Sequence, residues 1–274
     1  MGTWRQVEIG GKRADLFEPT RPSPHRFTIL FLHGHGEISL RDNPVYSIEL
    51  DRHGLSCLCP AGRRSWWGDR VCTEFDPRQT PRSFLLQQVL PWLQENCQVA
   101  PPAIGLLGVS MGGQGALKLA YQSPQEFPVV AALAPAIDFH RWYGQGYPLD
   151  DLYESAEEAR QDTATVLIHP LNWPRHQFLL CDPTDAEWFE GAECLASKLS
   201  SSGIPFERDF DTRAGGHSWD YFNRQGPSVI QFLAERLEKE RLRIPTPPTP
   251  VFRQVSPGID PGLATGSSTG TESE

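Results

Sequence analysis

Long apolar runs are missing from this chain. The longest near its start, residues 27–32, falls far short of the roughly 20 residues that a membrane-spanning helix needs. No membrane association is therefore expected. The first residues, MGTWRQVEIGGKRAD, lack the apolar stretch of a signal peptide. Gly2 follows Met1, but Gln6 stands where an N-myristoylation motif requires Ser or Thr. Lys and Arg form no cluster, and 25 basic against 34 acidic residues leave a net charge of -9. The basic patch of a nucleic-acid binder is absent, so no nucleic-acid partner is expected. Six cysteines occur, Cys57, Cys59, Cys72, Cys97, Cys181 and Cys194, without a CxxC pair and without Cys/His zinc spacing. They read as buried, reduced thiols, and the expected location is cytoplasmic. Internal repeats are also lacking.

What is present is a globular composition, with 39% hydrophobic and 22% charged residues in 274. Short apolar runs alternate with helical patterns. Residues 27–32, 55–59, 104–109, 129–133, 177–181 and 206–210 read as strands. Residues 82–96, 111–120, 192–200 and 229–243 carry helical spacing. Residues 3–17 allow one or two antiparallel edge strands. Strand–helix alternation with nearly continuous apolar strands argues for a mostly parallel central sheet with helices on both faces. Between the fourth and fifth of these strands, residues 138–176 hold one helical stretch, 152–166, which is too short for a large lid domain. From Pro245 the chain is rich in Pro, Ser, Thr and Gly. Such a segment cannot bury enough surface to offset its ordering entropy. The expected organisation is a catalytic domain over 1–244 and a disordered tail over 245–274.

The strongest chemical signal is Gly108-Val109-Ser110-Met111-Gly112-Gly113, which follows a buried strand and opens a helix. A nucleophilic serine needs that context: a tight strand-to-helix turn with small residues two before and two after it. Ser110 requires a base, and His217 in Ala214-Gly215-Gly216-His217-Ser218-Trp219 lies in a loop after the last strand, with glycines that let it turn back over the sheet. The acid that orients His217 should follow the preceding strand, in Cys181-Asp182-Pro183-Thr184-Asp185. Both Asp182 and Asp185 are candidates. Asp182 stands where an aspartate commonly caps its own turn through its side chain, whereas Asp185 lies past that turn. Two backbone N–H groups should form an oxyanion hole: that of Met111, and that of His35 in His33-Gly34-His35-Gly36. The two histidines of that loop also allow a metal-site reading, with His169 and Asp138 recruited. It would leave the serine turn and the His217 loop without a purpose, so no metal is expected. Trp66, Trp67, Trp188 and Trp219 fall in loops at the same sheet edge and are candidates for substrate contact.

His33-Gly34, Ser65-Trp66-Trp67, the GVSMGG segment, the Asp182–Asp185 loop and Gly215-Gly216-His217-Ser218-Trp219-Asp220-Tyr221-Phe222 together resemble the putative esterase (esterase D-like) family of the α/β-hydrolase superfamily. The resemblance spans about residues 25–238. It implies an α/β-hydrolase fold, carboxylic-ester hydrolysis by a Ser-His-Asp triad through an acyl-enzyme, and no cofactor. Its acid stands a few residues beyond the strand, which favours Asp185. The S-formylglutathione hydrolases of that family carry a distinctive loop after their first catalytic-edge strand, and His33-Gly34-His35-Gly36-Glu37 replaces it here. The expected ligand is a small-molecule ester. Two alternatives differ in class: a catalytically silent scaffold acting through its tail, and a thioesterase of S-formylglutathione hydrolase type. Oligomeric state is left open.

Overall fold

Apolar strands set the architecture. In the computed structural model, which describes residues 1–243, eight strands form one sheet in the order β1-β2-β4-β3-β5-β6-β7-β8. The tail expected to be disordered, 245–274, lies outside the described residues. Strands β1 (Thr3–Ile9) and β2 (Lys12–Glu18) make the antiparallel edge hairpin. Strand β2 then pairs antiparallel with β4 (Ser56–Pro60). From β4 onward through β3 (Thr28–Leu32), β5 (Ile104–Val109), β6 (Val129–Leu133), β7 (His176–Leu180) and β8 (Glu207–Asp209), every pairing is parallel. All residues of β3, β5 and β6 are buried, as expected for parallel strands covered on both faces. Each large aliphatic side chain so buried contributes roughly 1.5–3 kcal/mol.

The helices follow in chain order. They are α1 (Pro44–His53), α2 (Pro81–Phe84), which continues through a π turn (Leu85–Val89) into α3 (Leu90–Cys97), α4 (Met111–Gln122), the short α5 (Leu149–Leu152), α6 (Ala156–Gln161) and α7 (Ala164–Leu167), then α8 (Phe189–Ser201) and α9 (Trp219–Arg243). Helix α1 had no counterpart in the sequence reading, although its start is signalled locally. The Asn43 side chain accepts the N–H groups of Val45 and Tyr46, and Pro44 occupies the first turn, where its missing N–H costs nothing. Helix α9 begins ten residues earlier than its apolar spacing suggests. The helix runs through Pro227, and Tyr221, Phe222 and Gln225 ahead of it are buried.

The helical stretch expected over 152–166 is broken into short pieces. Ser155 caps α6 by accepting from the N–H of Glu158, and the chain turns again at Asp162 and Thr163 before α7. This insertion is tied to the body by buried Lys118 on α4, whose Nζ meets Asp162 Oδ2 at 2.6 Å. The Tyr153 hydroxyl donates to the same carboxylate oxygen. With no larger element between β6 and β7, the carboxyl edge of the sheet stays open. In open α/β sheets that edge is where ligands bind.

Candidate active site

Ser110 sits where β5 turns into α4, with φ 54° and ψ −121°. A non-glycine residue there is strained, and the surroundings must over-determine it. The Ser110 N–H donates to Leu133 O at 2.9 Å, and Ser110 O accepts from the N–H groups of Ala136 and Gln114 at 3.0 and 3.1 Å. Neighbouring glycines make room for the turn. A Cβ on Gly108 would lie 2.1 Å from Gly112 O, and a Cβ on Gly112 would lie 1.9 Å from Leu32 O. Neither position can carry a side chain without moving backbone, which gives the Gly-x-Ser-x-Gly pattern its physical cause.

His217 lies across the sheet edge from Ser110. Its Nε2 is 3.0 Å from Ser110 Oγ, and its Nδ1 is 2.7 Å from Asp185 Oδ2. The Asp185 side chain is buried and the His217 ring is about a quarter exposed. The other oxygen of Asp185 accepts the N–H groups of Glu187 and Trp188, both at 3.1 Å, so the carboxylate is held from two sides. With Nδ1–H donating to Asp185, Nε2 is left as the acceptor for the serine hydroxyl.

Asp182 does different work. Its Oδ1 accepts the Thr184 N–H at 2.7 Å and the Thr184 hydroxyl at 2.6 Å. Its Oδ2 accepts the N–H groups of Ala214 and Gly216 at 2.6 and 2.9 Å. The side chain thus caps its own turn and also clamps the loop that carries His217. Burial pushes this carboxyl up, but hydrogen bonds from Ala214, Thr184 and Gly216 outweigh that and hold it at about 2. A depressed folded value means stability that is present above the ordinary carboxylate value and lost as pH falls towards 2. Replacing Asp182 by Asn should lower Tm at pH 7, and the gap to the wild type should close as pH is taken from 5 to 2. Parallel melting curves over that range check it, and a gap constant with pH would refute it.

The loop after β3 supplies the far wall. Gly34 lies against the nucleophile: a Cβ there would be 3.2 Å from Ser110 Cβ. Gly34 O closes a turn by accepting from the Glu37 N–H at 3.0 Å. Both ring nitrogens of buried His33 are committed, Nδ1 to Gly34 O at 2.8 Å and Nε2 to the Gly62 N–H at 2.9 Å. His33 therefore fastens this loop to the one after β4 and has no nitrogen left for a metal. The ring of His35 is boxed by aromatic side chains, edge-on to Trp142 and to Tyr147 at 5.4 Å each.

A cleft of about 230 Å³ opens over Ser110 and His217. Trp188 and Trp219 line it, whereas Trp66 and Trp67 do not. Both of the latter adopt positive φ, 57° and 51°, and are buried to 2% exposure. Trp67 donates from its ring to His33 O at 3.0 Å, and Trp66 stacks on Phe139 with ring centres 4.9 Å apart. They support the wall from beneath, so the expectation of substrate contact is corrected for these two. Sequence reasoning missed Trp142, Glu187, Phe222 and Ile38, which also line the cleft. Phe222 could have been found, since it stands one helical turn beyond Trp219 on α9. Trp142 arrives from the insertion, where no local motif marks it. A larger cavity of about 780 Å³, beside β2, shares only Ile38 with this cleft.

Solved structures resemble the fold. An S-formylglutathione hydrolase from Agrobacterium tumefaciens matches with TM-score 0.70 at 16% identity, over 86% of this chain and 94% of that one. FphF, a fluorophosphonate-binding serine hydrolase of Staphylococcus aureus, matches with TM-score 0.68 at 15% identity, over 85% and 98%. The fold is that of the α/β hydrolases. More particularly, residues 59–227 match the family described as putative esterase, and the chain belongs to that family. Among curated relatives, the diacylglycerol acyltransferase/mycolyltransferase Ag85A of Mycobacterium tuberculosis is 31% identical over 209 residues, 64% of this chain and 62% of that protein. Ag85C of Mycobacterium avium is 34% identical over 91 residues, 31% of this chain and 26% of the relative. These matches span less than two thirds of the relatives' own length. The matched family is described as one of esterases, and the curated relatives are named as acyltransferases. No helix among the described residues is long and apolar enough to cross a membrane.

Proposed function

We propose that the protein is a serine esterase that hydrolyses carboxylic esters of small molecules through an acyl-enzyme, with Ser110 as nucleophile, His217 as general base and Asp185 as its orienting acid. The observation that carries this is the relay on a strained turn: Ser110 Oγ to His217 Nε2 at 3.0 Å, and His217 Nδ1 to Asp185 Oδ2 at 2.7 Å. Ser110 Oγ attacks the ester carbonyl while His217 Nε2 takes its proton. Asp185 stabilises the imidazolium that results. The tetrahedral oxyanion is received by the N–H groups of Met111 and His35. Met111 opens α4, so its N–H has no partner within the helix, and the N-terminal end of α4 favours the developing negative charge.

Collapse expels the alcohol, which receives the proton from His217. Water, activated by the same imidazole, then releases the acid and restores Ser110. An alcohol in place of that water would complete acyl transfer at the same site.

A fluorophosphonate probe tests the reading. Its label should appear on Ser110 with a stoichiometry near one, and Ser110→Ala should take up none. Absence of labelling in the folded wild type would favour a silent scaffold.

A further inference from the structure

We propose that this esterase selects substrates bearing a cationic group, an ammonium or a quaternary ammonium, which is seated in the cleft against Trp219, Trp142 and the carboxylate of Glu187. The inference rests on the esterase reading of Ser110 and names its substrate class. Its basis is the chemistry of the cleft wall. Trp142, Trp188, Trp219 and Phe222 line the space above Ser110 and His217. Trp188 is buried to 2% exposure, with its ring centre 5.3 Å from that of Trp142, and Trp142 stacks one face on Tyr147 at 4.6 Å. Trp219 and Phe222 meet edge-on at 5.5 Å. Tryptophan faces are the best aromatic partners for a cation, because the ring quadrupole puts negative charge there.

Charge in the cleft has one sign. Glu187 is the carboxylate among its lining residues, and neither Lys nor Arg lines it. The side chain of Glu187 is fixed at the cleft by the Trp142 ring N–H, which donates to Oε1 at 2.6 Å. The neighbouring cation, Arg141, is engaged elsewhere, with Glu190 at 2.9 Å and Asp138 at 3.3 Å. Glu187 itself forms no ion pair among the described residues. An aromatic wall that carries a carboxylate and no cation attracts a positive group and repels a negative one. The net charge of -9 adds long-range attraction of the same sign.

Three matched thioesters test this: acetylthiocholine, its uncharged isostere 3,3-dimethylbutyl thioacetate, and anionic S-acetyl-3-mercaptopropionate. The kcat/KM for the cation should exceed that for the isostere on the order of tenfold, and the anion should be slowest. In Glu187→Gln, which can still accept from the Trp142 ring, the cation-to-isostere ratio should fall several-fold. A wild-type ratio at or below one overturns the proposal, as does a high ratio that Glu187→Gln leaves unaltered. Failure of the esterase reading looks different, because fluorophosphonate then leaves Ser110 unlabelled. If Ser110 is labelled but none of the thioesters turns over, protection decides. Choline should slow labelling more than 3,3-dimethylbutanol does, and equal or weaker protection overturns the proposal.

Discussion

Ser110→Ala should reduce kcat for ester hydrolysis by roughly 10⁵–10⁶-fold, leaving only what binding and the oxyanion donors provide. The fold should survive. Ser110 is held by its backbone, through Leu133, Ala136 and Gln114, and its Oγ contacts His217 rather than the packed core. Alanine inherits the same φ and the same backbone bonds, so Tm should stay within a few degrees of the wild type. Rates with a p-nitrophenyl ester, measured beside a melting curve, separate loss of chemistry from loss of structure. Retention of a tenth of wild-type activity by the purified variant would remove Ser110 from the mechanism.

Asp185→Asn and Asp182→Asn should diverge. Asparagine at 185 keeps the shape and can still receive the Glu187 and Trp188 N–H groups. Its amide, however, would present N–H to His217 Nδ1 and favour the wrong imidazole tautomer. A loss near 10⁴-fold in kcat is expected, by analogy with other triads, with little change in Tm. Asparagine at 182 meets four donor groups, from Thr184, Ala214 and Gly216, and its own amide can no longer accept them all. The expected cost is roughly 1–3 kcal/mol of stability, with a much smaller effect on kcat. Active Asp185→Asn beside dead but folded Asp182→Asn would reverse the two roles.

The two aspartates also mark how far sequence alone reaches. A turn beginning at Asp182 is local chemistry, written in Asp-Pro-Thr, and so it was legible. The grip of Asp182 on Ala214 and Gly216 joins residues more than thirty apart, and no spacing rule reports it. The serine turn was legible for the same local reason: a buried strand, a helix start and two obligatory glycines fall within six residues. The tryptophans were not. Whether a loop tryptophan faces the cleft or the interior depends on backbone torsion, and the left-handed conformations of Trp66 and Trp67 turn their rings inward. Trp142 comes from the insertion and Glu187 from the loop after β7, and they are joined by the Trp142 ring N–H to Glu187 Oε1 across 45 residues of chain. Helix α1 was missed because its apolar pattern is weak, although Asn43-Pro44 announces its start.

Rapid mixing with a p-nitrophenyl ester, followed by acid quench and mass analysis, tests the central claim most directly. The acyl group should be found on Ser110, and p-nitrophenol should be released in an initial burst that does not exceed the enzyme concentration. If turnover proceeds at full rate, continues in Ser110→Ala, and leaves no acyl group on Ser110 at any quench time, the serine-esterase account is contradicted.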